Sequence, residues 1–185
     1  MQRTRLAVWL ALVAAPAFAS GFERTLELEG ISFRVVCAND SGAPSVTVTP
    51  AGLAIDNSPL TREVDGRVVD AEVADLDADG SPELYIYAKS DGSGSYGALV
   101  AFAANRKKSL SDVYLPPVTD DPAAAAGYMG HDEFRVVENR LVRRFPVYRE
   151  GDVNAQPTGG MRQIQYKLVA GEAGWRLSPD KVVEY

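Results

Sequence analysis

Residues 83–104 read ELYIYAKSDGSGSYGALVAFAA, and the fold turns on whether the glycines at the centre open a helix or close a hairpin. Gly92, Gly94 and Gly97 fall on the G-x-G-x-x-G spacing. In a dinucleotide-binding unit that spacing follows a parallel strand and precedes a helix whose N-terminus faces the pyrophosphate. ELYIYAKS supplies the strand. No helix follows, because Ala98-Leu99-Val100-Ala101-Phe102 begins at once and reads as a return strand. The segment therefore predicts a hairpin with DGSGSYG at its tip.

The same reading extends in both directions. Leu26, Leu28, Ile31, Phe33 and Val35 alternate with polar residues around Glu29-Gly30, the pattern of a hairpin with one buried face. SVTVTP (residues 45–50) and RVVDAEVADL (residues 67–76) are strand-like runs bounded by Asp, Gly, Asn and Ser turns. Two more hairpins are predicted, one joining Phe134–Val137 to Leu141–Phe145 and one joining Gln163–Val169 to Trp175–Leu177. Helix signals are few. Lys107–Tyr114 reads as a short helix stopped by Pro116-Pro117, and Asp121 caps a single turn that has Pro122 first and ends at Gly127. The expected fold is all-β, an antiparallel sandwich-like single domain over residues 20–185 with one or two short helices.

Residues 1–19 carry Arg3 and Arg5, an apolar run from Leu6 to Ala15 and then Ala17-Phe18-Ala19. This is the pattern of a secretory signal peptide with an A-x-A cleavage site, and it predicts an exported, periplasmic protein. The apolar run falls short of the about 20 residues a membrane span needs. Loss of Arg3 and Arg5 with the leader leaves 17 basic against 25 acidic residues, taking the formal charge from −6 to −8. Such a balance argues against nucleic acid and anionic membrane as partners and favours a cationic one. With Cys37 alone, no intrachain disulfide can form, and its apolar neighbours favour a buried small hydrophobe over a reactive thiol.

The loops offer residues for three chemistries: a serine nucleophile, a metal site and recognition. Neither Ser93 nor Ser95 has the flanking glycines of the G-x-S-x-G nucleophile elbow. The single histidine, His131, lies far along the chain in Gly130-His131-Asp132-Glu133, so a hydrolase would require the fold to bring it to Ser93. Asp75, Asp77 and Asp79, followed by Gly80, match the first half of a calcium loop, and Glu83 could supply a further ligand. The twelfth position of an EF-hand loop is Ile86, not glutamate. A strand-connecting turn built on the same Asp and Gly residues is the other reading. No cofactor is expected. For DGSGSYG, recognition is the remaining role: glycines that thin the loop and permit positive φ, with Ser93, Ser95 and Tyr96 offering hydroxyls. A tyrosine is a stiff, amphipathic anchor that loses little entropy on binding.

The loop Ser93-Gly94-Ser95-Tyr96, set between ELYIYAKS and GALVAFAANRKKSL, resembles that of the periplasmic inhibitors of invertebrate-type (i-type) lysozyme. ISFRV, GLAIDNSPL, DLDADGSPELYIY, SLSDVYLPP, GYMGHDEFRVVENRLVRRFPVY and GGMRQIQYKL are similar to that family in the same order. The resemblance implies a β-sandwich-like inhibitor, not an enzyme, that inserts this loop into the lysozyme cleft. By the family motif, Ser93 and Tyr96 meet the catalytic carboxylates, with Gly92, Gly94 and Ser95 completing the loop. It also implies association as a homodimer. A calcium-dependent adhesion or glycan-binding module is the rival reading.

Overall fold

A computed structural model describes residues 21–40, 44–172 and 174–185. The expected signal peptide lies outside the described residues. Among those described, no helix is long and apolar enough to cross a membrane.

Among the described residues, twelve strands form two sheets. Strands β1 (Phe22–Leu28), β2 (Ile31–Cys37), β3 (Ser45–Ala51) and β4 (Leu60–Glu63) form a four-stranded antiparallel sheet in chain order. The second sheet has eight strands: β5 (Arg67–Ala74), β6 (Glu83–Lys89), β7 (Gly97–Ala104), β8 (Leu110–Tyr114), β9 (Glu133–Val137), β10 (Arg140–Pro146), β11 (Met161–Gly171) and β12 (Gly174–Glu184). Their spatial order is β5-β6-β7-β8-β12-β11-β10-β9. All neighbours are antiparallel except β8 and β12, which run parallel where Val113 and Tyr114 face Trp175 and Arg176. Among the described residues the one α-helix is the single turn α1 (Pro122–Ala125), and it forms as expected: the Asp121 carboxylate accepts from the N–H groups of Ala123 and Ala124.

The period-2 alternation of β6 explains how the layers stack. Leu84, Ile86 and Ala88 face the four-stranded sheet and pack with Phe33, Val35, Val46 and Val48. Tyr85 and Tyr87 point the other way, into a second core with Phe134, Leu141, Phe145, Ile164, Tyr166 and Leu177. Both faces of β6 are thus buried, which is why ELYIYAK carries so little polar alternation. Cys37 is buried in the first core.

The eight-stranded sheet curls until its outer strands meet. Glu72 of β5 accepts hydrogen bonds from the Val136 N–H of β9 at 2.8 Å and from the Tyr87 hydroxyl at 2.6 Å. One side-chain carboxylate thus stands in for a strand carbonyl across the seam, giving a near-barrel. Sandwich and near-barrel share β5 to β7.

One expected element is corrected. Residues 107–114 do not form a helix. Arg106 and Lys107 take φ of 50° and 54°, turning the chain, and Leu110–Tyr114 becomes β8. Leu110, Ser111 and Asp112 pair with Ala104, Ala103 and Phe102, so the free ladder of β7 overrides local helix preference. The last hairpin is also longer than expected, since β12 continues past Leu177 to Glu184.

Candidate functional site

The loop Ser90–Tyr96 joins β6 to β7, whose ladder runs up to the Lys89–Gly97 pair. Three internal bonds shape it. Ser90 N–H donates to the Tyr96 carbonyl at 2.9 Å, Tyr96 N–H to the Ser90 hydroxyl at 2.9 Å, and Ser95 N–H to the Gly92 carbonyl at 2.9 Å. Ser93 is exposed and Tyr96 is 47% exposed. Among the described residues, neither the Ser93 nor the Tyr96 hydroxyl has a hydrogen-bond partner, so both are free to bond outward. The Tyr96 ring is nonetheless held, edge-on against Tyr128 with centroids 5.8 Å apart. Met129 and Val153 are exposed on the loops that flank it.

The glycines do a different job from the one expected. None of Gly92, Gly94 and Gly97 has a positive φ; the left-handed residue of the loop is Ser95, at 41°. Gly94 and Gly97 are needed for close approach. A Cβ on Gly94 would lie 2.5 Å from Cε2 of Tyr96, and one on Gly97 would lie 2.6 Å from Cβ of Asp132, whereas one on Gly92 meets nothing. The Tyr96 ring folds over Gly94, and the base of the hairpin is pressed against the segment that holds His131.

That segment, residues 128–132, braces the loop from the side of β9 and β10. Asp132 is fully buried and accepts from Gly97 N–H at 2.8 Å, from the Tyr128 hydroxyl at 2.7 Å and from Arg143 Nε at 2.6 Å. Arg143 also donates to the Tyr128 hydroxyl at 2.7 Å and lies over the Tyr128 and Phe134 rings. Burial is the main reason the Tyr128 phenol is pushed upward and stays protonated, although Arg143 opposes it. His131 N–H donates to the Gly94 carbonyl at 2.6 Å. Asn154, from the loop after β10, donates Nδ2–H to the Ser93 carbonyl at 2.7 Å and places its Oδ1 3.1 Å from His131 Nε2. Since Asn154 donates with its nitrogen, its oxygen accepts, and His131 carries its proton on Nε2.

His131 is therefore brought to the loop, but not to the Ser93 hydroxyl, because its ring is committed to Asn154 and stacks beside Tyr148. Sequence reasoning singled out the loop and missed Tyr128, Asp132, Arg143 and Asn154. The GYMGHDE run next to a strand pair carries Tyr128 and Asp132 but neither Arg143 nor Asn154.

The acidic loop after β5 divides. Asp75, Asp77 and Glu83 bring carboxylate oxygens within 4.8 Å of one another. Asp79 instead accepts from Ser81 N–H, while Asp75 accepts from the N–H groups of Asp79 and Gly80, as in an ordinary Asx-type turn. Glu83 is buried and accepts from Leu76 N–H at 2.8 Å. Burial, reinforced by the three aspartates and eased by that N–H, pushes its carboxyl up to about 8.

Fold and loop together define a class: an all-β protein that presents a short, braced hairpin tip on which Ser93 and Tyr96 are exposed. Residues 55–125 match the model of the family described as periplasmic lysozyme inhibitor of I-type lysozyme. The family resemblance drawn from the sequence thus holds across the stretch that contains β4 to β8, the Ser90–Tyr96 loop and α1. No curated protein and no solved structure matches the chain.

Proposed function

We infer that the chain is an exported inhibitor of lysozyme, with the i-type enzyme as its preferred target, acting in the periplasm without chemistry of its own. The family match over the segment that carries the Ser90–Tyr96 loop is the observation on which this rests. Residues 20–185 act as one inhibitory domain, and the leader of residues 1–19 directs export. Ser93 and Tyr96 are the central contacts, with Gly92, Gly94 and Ser95 shaping the tip.

The mechanism follows from what a glycosidase cleft contains. Two carboxylates about 5 to 9 Å apart line a groove made for sugar hydroxyls. A narrow tip with two unpartnered hydroxyls can donate to those carboxylates, displace water and block the glycan. Hydrogen bonds to charged groups contribute about 1.5–3 kcal/mol each, so loss of either hydroxyl weakens inhibition by an order of magnitude or more. The formal charge of −8 without the leader speeds encounter with a lysozyme of positive net charge. Titration of goose-, chicken- and invertebrate-type lysozymes in a cell-lysis assay tests both the function and the target class. Failure to inhibit any of them overturns the reading.

The Asp75, Asp77 and Glu83 cluster favours a second reading, a calcium-dependent adhesion or glycan-binding module. Calorimetry with calcium on the full chain decides it, and absence of heat and of thermal stabilisation ends it. Homodimer formation, implied by the family resemblance, is tested by sedimentation.

A further inference from the structure

We propose that Asn154 is a positioning residue that latches the inhibitory tip from outside its own hairpin; this rests on the loop being the inhibitory element. The internal bonds of Ser90–Tyr96 close its base through Ser90 and Tyr96 and turn it through Gly92 and Ser95. They leave the Ser93 and Gly94 carbonyls pointing away from the hairpin. Both are taken by donors distant in the chain, Asn154 Nδ2–H at 2.7 Å and His131 N–H at 2.6 Å.

The latch is built rather than incidental. Gly130 and His131 take successive left-handed φ values of 91° and 58°, which aim the His131 N–H at the tip, and a Cβ on Gly130 would lie 2.2 Å from the Gly94 carbonyl oxygen. Asn154 is oriented at both ends. Its Oδ1 is held by His131 Nε2, and its main-chain carbonyl accepts from the Tyr148 hydroxyl at 2.8 Å. The turn that carries it is closed by Asp152, which accepts from the N–H groups of Arg149 and Thr158 and from the Thr158 hydroxyl. A tip pinned at two adjacent carbonyls presents Ser93 and Tyr96 already in place, so less ordering entropy is lost on binding.

Because the Asn154–Ser93 bond is solvent-accessible, removing it should leave global stability nearly untouched. The test compares the full chain with Asn154→Ala and Asn154→Asp; the aspartate keeps an acceptor for His131 but has no donor for Ser93. Both variants should inhibit i-type lysozyme roughly three- to ten-fold less well, the loss expected of one exposed hydrogen bond. The thermal midpoint should hold. Amide exchange at Ser95 and Tyr96 should quicken by a similar factor, while that at Tyr85 and Phe102 in the core stays the same. Unchanged loop exchange, or weakened inhibition that merely follows a fall in thermal midpoint, overturns the latch. If the unsubstituted chain inhibits no lysozyme, the functional reading falls, and loop exchange alone then decides whether Asn154 holds the tip.

Discussion

At the scale of single residues, the loop depends on atoms that are missing as much as on those present. Gly94→Ala would place a methyl group 2.5 Å from the Tyr96 ring and force the ring off Tyr128. Since Tyr96 is half exposed, the fold should survive; we expect a thermal midpoint close to that of the unsubstituted chain and inhibition weakened to the level of Tyr96→Ala. A second residue-scale prediction concerns Glu83, whose carboxyl is raised from its ordinary 4.5 to about 8 in the folded chain. The folded state therefore holds a proton that the unfolded chain releases, so the Glu83 contribution is complete below pH 4.5 and is lost as pH rises through about 8. In chelator-treated buffer, denaturant titrations should show stability falling over that window, and Glu83→Gln should flatten the fall. A decline of equal slope in the variant would refute the assignment.

At the scale of elements, the seam between β5 and β9 is bridged by the carboxylates of Glu72 and Asp70, both of which face Arg135, and Glu72 alone takes the Val136 N–H. Glu72→Ala leaves the buried Tyr87 hydroxyl and the Val136 N–H without their acceptor. An unsatisfied buried group costs about 1–3 kcal/mol, so chemical denaturation should show a loss of about 2–4 kcal/mol for the pair. Glu72→Gln, which retains an acceptor, should lose less. Elements set by local pattern were legible in the sequence: the hairpin at Glu29-Gly30, the hairpin of β6 and β7, and the capped turn at Asp121 all have their cause within a few residues. β8 was not, because its strand character comes from the open ladder of β7, far from any signal in RKKSLSDVYL. The site divides in the same way. Ser93 and Tyr96 stood out as a tyrosine and serines among glycines, but Asn154 reaches the tip only through the curling of the eight-stranded sheet, and no spacing in the chain encodes that meeting.

At the scale of the whole molecule, two cores that share β6 and β7 support the hairpin that carries the tip, and the acidic balance of the chain bears on how fast a partner is met. The rate of association with a cationic lysozyme should fall as salt rises from about 0.01 M to 0.15 M, where the screening length contracts from about 30 to 8 Å, while dissociation changes little. Stopped-flow binding checks this, and an association rate indifferent to salt would assign encounter to shape alone. The central claim is that two outward hydroxyls on a braced tip block a lysozyme. It is tested most directly by comparing Ser93→Ala with Tyr96→Ala, combined in one chain, against the unsubstituted protein in an i-type lysozyme lysis assay. The account predicts full inhibition by the unsubstituted chain and a loss of roughly a hundred-fold or more in the double variant; equal inhibition by the two would contradict it.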